Sequence, residues 1–236
     1  VSKFRHGGNL PPVKIEADDG HDGRCSCDLT PSERTSPLAS MIAWGPGGDA
    51  LVRPVLLVDV DGPLNPYAAK PYRRPEGYGT HRLLTPRWEA AERRRLTAAG
   101  LPDKPAKPLR VWLNPGHGPA LAALPFELVW ATTWEEEAND FVGPVLGLPV
   151  LPFIRWLSPR PEPEPGSGVF WKTPEIVAWA KGRAFAWVDD EITDADRAWV
   201  AKHHGGPALL HRVDPRRGLT ADDFGVLERW AAALPK

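Results

Sequence analysis

The run Pro54-Val-Leu-Leu-Val-Asp59 restricts this chain more than any other feature. Val55 to Val58 offer no polar face to water, so the segment has to be covered on both sides. That is the pattern of a parallel strand inside an α/β sheet rather than of a half-solvated hairpin strand. Comparable runs recur at Leu109–Leu113, Glu127–Thr132, Val150–Ile154, Ala184–Val188 and Pro207–His211. Helical patterns fall between most of them. Trp88 to Ala99 reads as a helix closed by Gly100, and Pro119 to Leu124 as a short helical turn. Strands alternating with helices predict an α/β, three-layer sandwich around a mainly parallel sheet.

Four helix starts carry capping chemistry. Thr133 to Glu136 reads as a capping box. Thr173 with Pro174 places a hydroxyl at the N-cap and proline at the first helical position. Thr193 precedes Asp194 and Asp196, and Thr220 precedes Asp222 and Asp223. In each case a hydroxyl can accept from an orphan backbone N–H, and first-turn carboxylates favour the positive end of the helix dipole. His203 and His204 mark a helix end before Gly205.

Residues 1–49 are dense in Gly, Pro, Ser and Asp without apolar periodicity and read as a disordered N-terminal tail. The tail holds Met41, the only methionine and a candidate translation start. It also holds His21, Cys25 and Cys27, an incomplete metal-clip spacing. Residues 50–236 are expected to form one domain. Pro159 to Gly168 reads as a stiff exposed loop. A net charge of -1 argues against a coat for nucleic acid or a membrane-surface binder. Two cysteines imply no disulfide framework. The apolar runs are too short to span a bilayer, and the N-terminal stretch lacks a secretory pattern. A cytoplasmic enzyme is the expectation, with no membrane association and an open oligomeric state.

Val58-Asp59-Val60-Asp61-Gly62 closes the first apolar run. Ligands of open α/β sheets gather outside the carboxyl ends of the strands, so both carboxylates fall where chemistry is expected. On a regular strand they would share one face, but Gly62 and Pro63 turn the chain at once. Two close carboxylates repel unless a cation lies beside them. Magnesium takes oxygen ligands and typically uses one or two carboxylates plus a substrate phosphate. One carboxylate can attack phosphorus while the other handles the leaving-group proton. Taken alone, the motif is equally a solvated Asp-rich turn.

Three downstream features raise its weight. A hydroxyl at Thr132, ending the run Val129-Trp130-Ala131, can donate to a phosphoryl oxygen. Lys172 beside the Thr173-Pro174 helix start makes an anion site, although a lone lysine there is otherwise an ordinary surface residue. Ala184 to Val188 ends in Asp189-Asp190-Glu191, where Asp189 is the better direct metal ligand and Asp190 a supporting one.

Asp59-Val-Asp61-Gly after a strand, Thr132 after a strand, Lys172 at a helix start and Asp189-Asp190 after a strand occur in that order. Together they resemble the four motifs of the haloacid dehalogenase superfamily, over roughly Val52 to Leu234. Leu57 to Pro66, Trp130 to Glu135 and Val213 to Thr220 are further similar to the members found in bacterial RNA-repair proteins. The resemblance implies a Rossmann-like fold with a small flap or cap at about 63–108, and a hydrolase, more narrowly a phosphatase. It makes Asp59 the nucleophile and Asp61 the general acid/base. Magnesium would be held by Asp59, the Asp61 carbonyl and Asp189, and phosphate by Thr132 and Lys172. The presence of Asp61 points to phosphoryl chemistry rather than dehalogenation. A phosphotransferase, or a non-catalytic phosphate- or nucleic-acid-binding module on the same fold, are the alternatives.

Between the first two motifs, Pro66 to Arg95 holds eight basic residues (Lys70, Arg73, Arg74, Arg82, Arg87, Arg93, Arg94, Arg95) against Glu76, Glu89 and Glu92. Such a local excess steers polyanions. With Tyr67, Tyr72 and Tyr78 interleaved, it suggests a phosphorylated substrate such as a nucleotide or nucleic-acid end, with Arg73 and Arg74 as supporting contacts. Arg93 to Arg95 read better as a solvated helix face, and His117 as part of a surface turn.

Overall fold

The computed structural model describes residues 53–70, 72–158 and 166–235. The tail through residue 49, with the readings placed on His21, Cys25, Cys27 and Met41, lies outside the described residues, as does most of the Pro159–Gly168 loop. The strands are β1 (Val55–Val58), β2 (Gly79–Leu83), β3 (Leu109–Leu113), β4 (Glu127–Trp130), β5 (Phe185–Asp189) and β6 (Ala208–Arg212). The helices are α1 (Pro86–Ala98), α2 (His117–Ala123), α3 (Gly143–Leu146), α4 (Lys172–Ala180), α5 (Asp194–His203) and α6 (Ala221–Ala232), with a π-helical turn at Ala138–Val142 ahead of α3.

Four strands form a parallel sheet in the order β4-β1-β5-β6. The period-2 alternation of side chains sends Leu56, Val58, Ala186 and Val188 to one face. There they meet Leu121 of α2, Leu146 of α3 and Leu227 of α6. Val55, Leu57, Phe185 and Trp187 point the other way, onto Ile176 of α4 and Val200 of α5. Helices on both faces give the α/β layering expected, and they bury β1 completely. Among the described residues no helix is long and apolar enough to cross a membrane.

The strand order places a switch point between β1 and β5. The chain leaves β1 towards β4 on one side and leaves β5 towards β6 on the other. Adjacent strands whose connections part in this way leave a crevice at their carboxyl ends. Asp59 follows β1 there, and Asp189 is the last residue of β5. The Asp59 N–H donates to the Val188 carbonyl at 3.1 Å.

Several expectations need correction. Leu109–Leu113 is a strand, but it pairs antiparallel with β2, outside the main sheet. The two flank α1, so the insert after β1 extends past residue 108. β2 escaped notice because Gly79, Thr80, His81 and Arg82 carry no apolar alternation. Val150–Ile154 makes only an isolated bridge, Trp130 to Phe153, since Pro152 has no N–H to extend a ladder. The helix starts at Thr193 and Thr220 form as read, each with a full capping box, whereas the box at Thr133 and the N-cap at Thr173 do not form. Glu135 turns into the left-handed region, φ 48°, where its carboxylate accepts from the Trp156 N–H and pairs with Arg87. Thr173 lies inside α4, behind an N-cap at Trp171, and donates to Asp196 at 2.6 Å. Tertiary partners outcompete the local cap at both places. His117 is buried as the first residue of α2, edge-on to Tyr78 and Phe224, rather than in a surface turn.

Candidate functional site

Lys172 is the centre of the arrangement. Its ammonium is 2.9 Å from Asp59 Oδ2 and 2.8 Å from Asp189 Oδ2, and all three side chains are buried. Strand periodicity explains the meeting. Asp59 and Asp189 each lie two residues beyond an α4-facing residue, Leu57 and Trp187, so both point towards the helix that carries Lys172. That helix start is held by Asp196 of α5. One Asp196 oxygen accepts from the Phe170 N–H and the Thr173 hydroxyl, and the other from Thr193.

The Asp59 carboxylate is further fixed by the Val60 N–H, which donates to Oδ1 at 2.8 Å, and by a hydrogen bond from the Thr132 hydroxyl. Thr132 reaches it because β4 runs beside β1, Val58 pairing with Trp130 and the Ala131 N–H donating to the Val58 carbonyl at 2.8 Å. The Trp156 indole donates to the Thr132 carbonyl and holds the loop from beneath. Asp190, expected only in support, joins the cluster: one carboxylate atom each from Asp59, Asp189 and Asp190 lie within 4.8 Å of one another.

Asp61 stands apart from that cluster. Asn65 Nδ2 donates to its Oδ1 at 2.8 Å, and the Trp134 indole to its Oδ2 at 3.0 Å. Asn65 is itself clamped, its side-chain carbonyl accepting from the Trp112 N–H of β3. The insert thus braces the Asp61 loop through one side chain. Neither Asn65 nor Trp134 carried a periodic signal, and the same holds for Tyr67, whose hydroxyl donates to Asp190 Oδ2 at 2.8 Å.

Arg73 and Arg74 are exposed, and neither touches the acidic cluster. Arg74 donates to Thr80 instead. Within the basic segment Arg87, Arg93 and Arg95 are paired with Glu135, Glu89 and Glu92. Lys70, Arg73, Arg82 and Arg94 have no ion pair among the described residues, and Arg82 sits directly across from Arg110 in the β2–β3 ladder. Like charges facing each other in that way are unfavourable without an anion.

Compared with family models, with curated proteins and with solved structures, the chain matches none.

The electrostatics describe a centre short of positive charge. Burial pushes the Asp59 carboxyl up, against the opposing pull of Lys172. Burial likewise raises Asp189 and Asp190, each to about 6. Lys172 loses hydration too, but Asp189 and Asp59 outweigh that loss and hold it as an ammonium. One ammonium contacts two of the three buried carboxylates, Asp59 and Asp189, with Asp190 beside them. Such a group could hold a further cation. Three carboxylates within 4.8 Å are hard oxygen donors, which suit magnesium better than a softer metal.

Gly62 admits Asp190 to the cluster. It has φ +96°, and a Cβ built on it would lie 2.4 Å from Asp190 Oδ1. Gly62→Ala is expected to cost about 1–3 kcal/mol from backbone strain alone, with a further loss as Asp190 is displaced. Urea unfolding of the variant checks this; a midpoint equal to that of the wild type would contradict it.

Proposed function

We propose that the chain is a magnesium-dependent phosphohydrolase of the haloacid dehalogenase type, working through an aspartyl-phosphate on Asp59. The observation that carries this reading is the buried Asp59–Lys172–Asp189 contact at the switch point of the sheet. An enzyme using a carboxylate as nucleophile needs it ionised, fixed and beside a cation. Asp59 is held by the Val60 N–H on one oxygen and by Lys172 on the other.

In the proposed cycle an Asp59 oxygen attacks phosphorus, and the bond from phosphorus to the leaving oxygen breaks. Asp61 acts as the general acid that delivers a proton to that oxygen. Water then attacks phosphorus, Asp61 takes its proton, and phosphate leaves with Asp59 restored. Thr132 and Lys172 contact the phosphoryl oxygens. Asp59, Asp189 and Asp190 would hold magnesium, which would supply charge neutralisation at the phosphoryl group. The unpaired cations on the insert favour a substrate with an anionic remainder, such as a nucleotide or a nucleic-acid end.

Hydrolysis of a generic aryl phosphate, with magnesium or with a chelator, tests the reading. Turnover that requires magnesium supports it. No release of phosphate from aryl phosphates or from phosphorylated nucleotides and oligonucleotides would leave a binding module as the better account.

A second expected result concerns pH. Asp189 and Asp190 are raised to about 6, so protons occupy them below that value in the metal-free protein. Their stabilising share is complete below the ordinary carboxyl range and lost as pH rises through about 6. Magnesium therefore competes with protons. The rise in Tm on adding magnesium should be largest at pH 7 to 8 and shrink as pH falls through about 6, read by scanning calorimetry. A gain that is flat across that range would contradict the assignment.

A further inference from the structure

We infer that Tyr67 is a positioning residue that sets the affinity of the centre for its divalent cation by locking the Asp190 carboxylate. This rests on the reading of Asp59, Asp189 and Asp190 as cation ligands. Tyr67 lies on the insert, and its hydroxyl crosses to the end of β5 to donate to Asp190 Oδ2 at 2.8 Å. The ring is 54% exposed, so packing does little to explain its place. What holds the side chain over the site is the hydroxyl contact, together with a backbone N–H that donates to the Asn65 carbonyl at 2.7 Å.

Asp190 is confined from two sides. One oxygen is tied to Tyr67, and the other lies against the open face of Gly62, at a distance no Cβ would tolerate. Its main-chain carbonyl accepts from Arg212 Nε at 2.9 Å, which fixes the backbone as well. The carboxylate therefore keeps one orientation beside Asp59 and Asp189. Asp189 is tied by Lys172 and the Glu191 N–H, and Asp59 by Lys172 and the Val60 N–H. Of the three carboxylates, Asp190 alone owes its orientation to a side chain contributed by the insert. Partners that hydrogen-bond a ligating carboxylate tune affinity because they remove the cost of ordering it. Without the hydroxyl, Asp190 has other rotamers open to it, and binding has to select one.

The test uses the full chain and magnesium alone as the probe. Calorimetric titration into metal-free Tyr67→Phe is expected to give a Kd weaker by about tenfold than that of the wild type. Asp190→Asn should weaken binding at least as much. Adding Tyr67→Phe to Asp190→Asn should then change little, because the tyrosine acts through that carboxylate. In turnover, the magnesium concentration for half-maximal rate should rise while kcat at saturating magnesium stays near that of the wild type. A merely structural tyrosine would lower stability without producing that non-additivity or that split. If the wild type binds magnesium and Tyr67→Phe binds it equally well, the role of Tyr67 is overturned and the phosphohydrolase reading survives. If the wild type takes up no magnesium, that reading fails, and this inference fails with it.

Discussion

Asp59→Asn is expected to lower turnover by roughly 10⁴-fold or more while leaving a cooperatively folded protein. The substitution keeps the shape and the acceptor oxygen but removes the negative charge that attacks phosphorus. No other carboxylate can take over. Asp189 is bound to Lys172 and the Glu191 N–H, and Asp61 is held by Asn65 and Trp134. The fold should tolerate the change, because one of three mutually close carboxylates loses its charge and Lys172 keeps Asp189 at 2.8 Å. Its Tm is expected to match the wild type or exceed it slightly, as happens when a functional site carries electrostatic strain. Paired measurements of phosphate release and of thermal unfolding check both halves. Residual turnover within tenfold of the wild type would remove Asp59 from the role of nucleophile.

Lys172→Met should have the opposite balance, damaging stability as well as turnover. Methionine roughly fills the volume but leaves Asp59 and Asp189 buried without their cation. Removing one partner of a buried pair typically costs about 3–5 kcal/mol, which for a chain of this size corresponds to a fall in Tm of roughly 10 °C. The loss should depend on pH. Lys172 lowers both carboxyls, so without it burial raises them further, and protonation at low pH relieves the unpaired charge that ionisation at higher pH restores. The deficit is thus large at pH 7.5 and smaller at pH 5. Magnesium should recover part of it at pH 7.5 by supplying the missing charge. A variant as stable as the wild type at pH 7.5 without metal would mean that Lys172 is not the counter-ion that the geometry describes.

Much of the fold and the geometric core of the site could be read from residues in order. Apolar runs at β1, β4, β5 and β6 are strands because a segment without a polar face has to be covered on both sides, and each lies in the parallel sheet. Asp59, Thr132, Lys172 and Asp189 were legible because each ends a strand or starts a helix, where backbone geometry aims side chains at the crevice. Less legible were residues that act across the chain. Asn65, Tyr67 and Trp134 are ordinary loop residues until β3, the end of β5 and the turn after β4 are brought beside them. The box at Thr133 and the N-cap at Thr173 failed for the same reason. Glu135 and Thr173 find stronger partners in Trp156, Arg87 and Asp196 than their own helix ends could supply.

Local pattern alone therefore determined where the four strands of the parallel sheet run and which carboxylates stand at their tips, because burial and chain reversal are properties of short segments. Only the tertiary structure decided which strands are neighbours, that Leu109–Leu113 leaves the sheet for an insert, and that the Asp190 carboxylate joins those of Asp59 and Asp189. Those outcomes depend on contacts between residues far apart in sequence, such as Tyr67 with Asp190 and Lys172 with Asp59. The free energy of such a contact exists only once both partners have been brought into place.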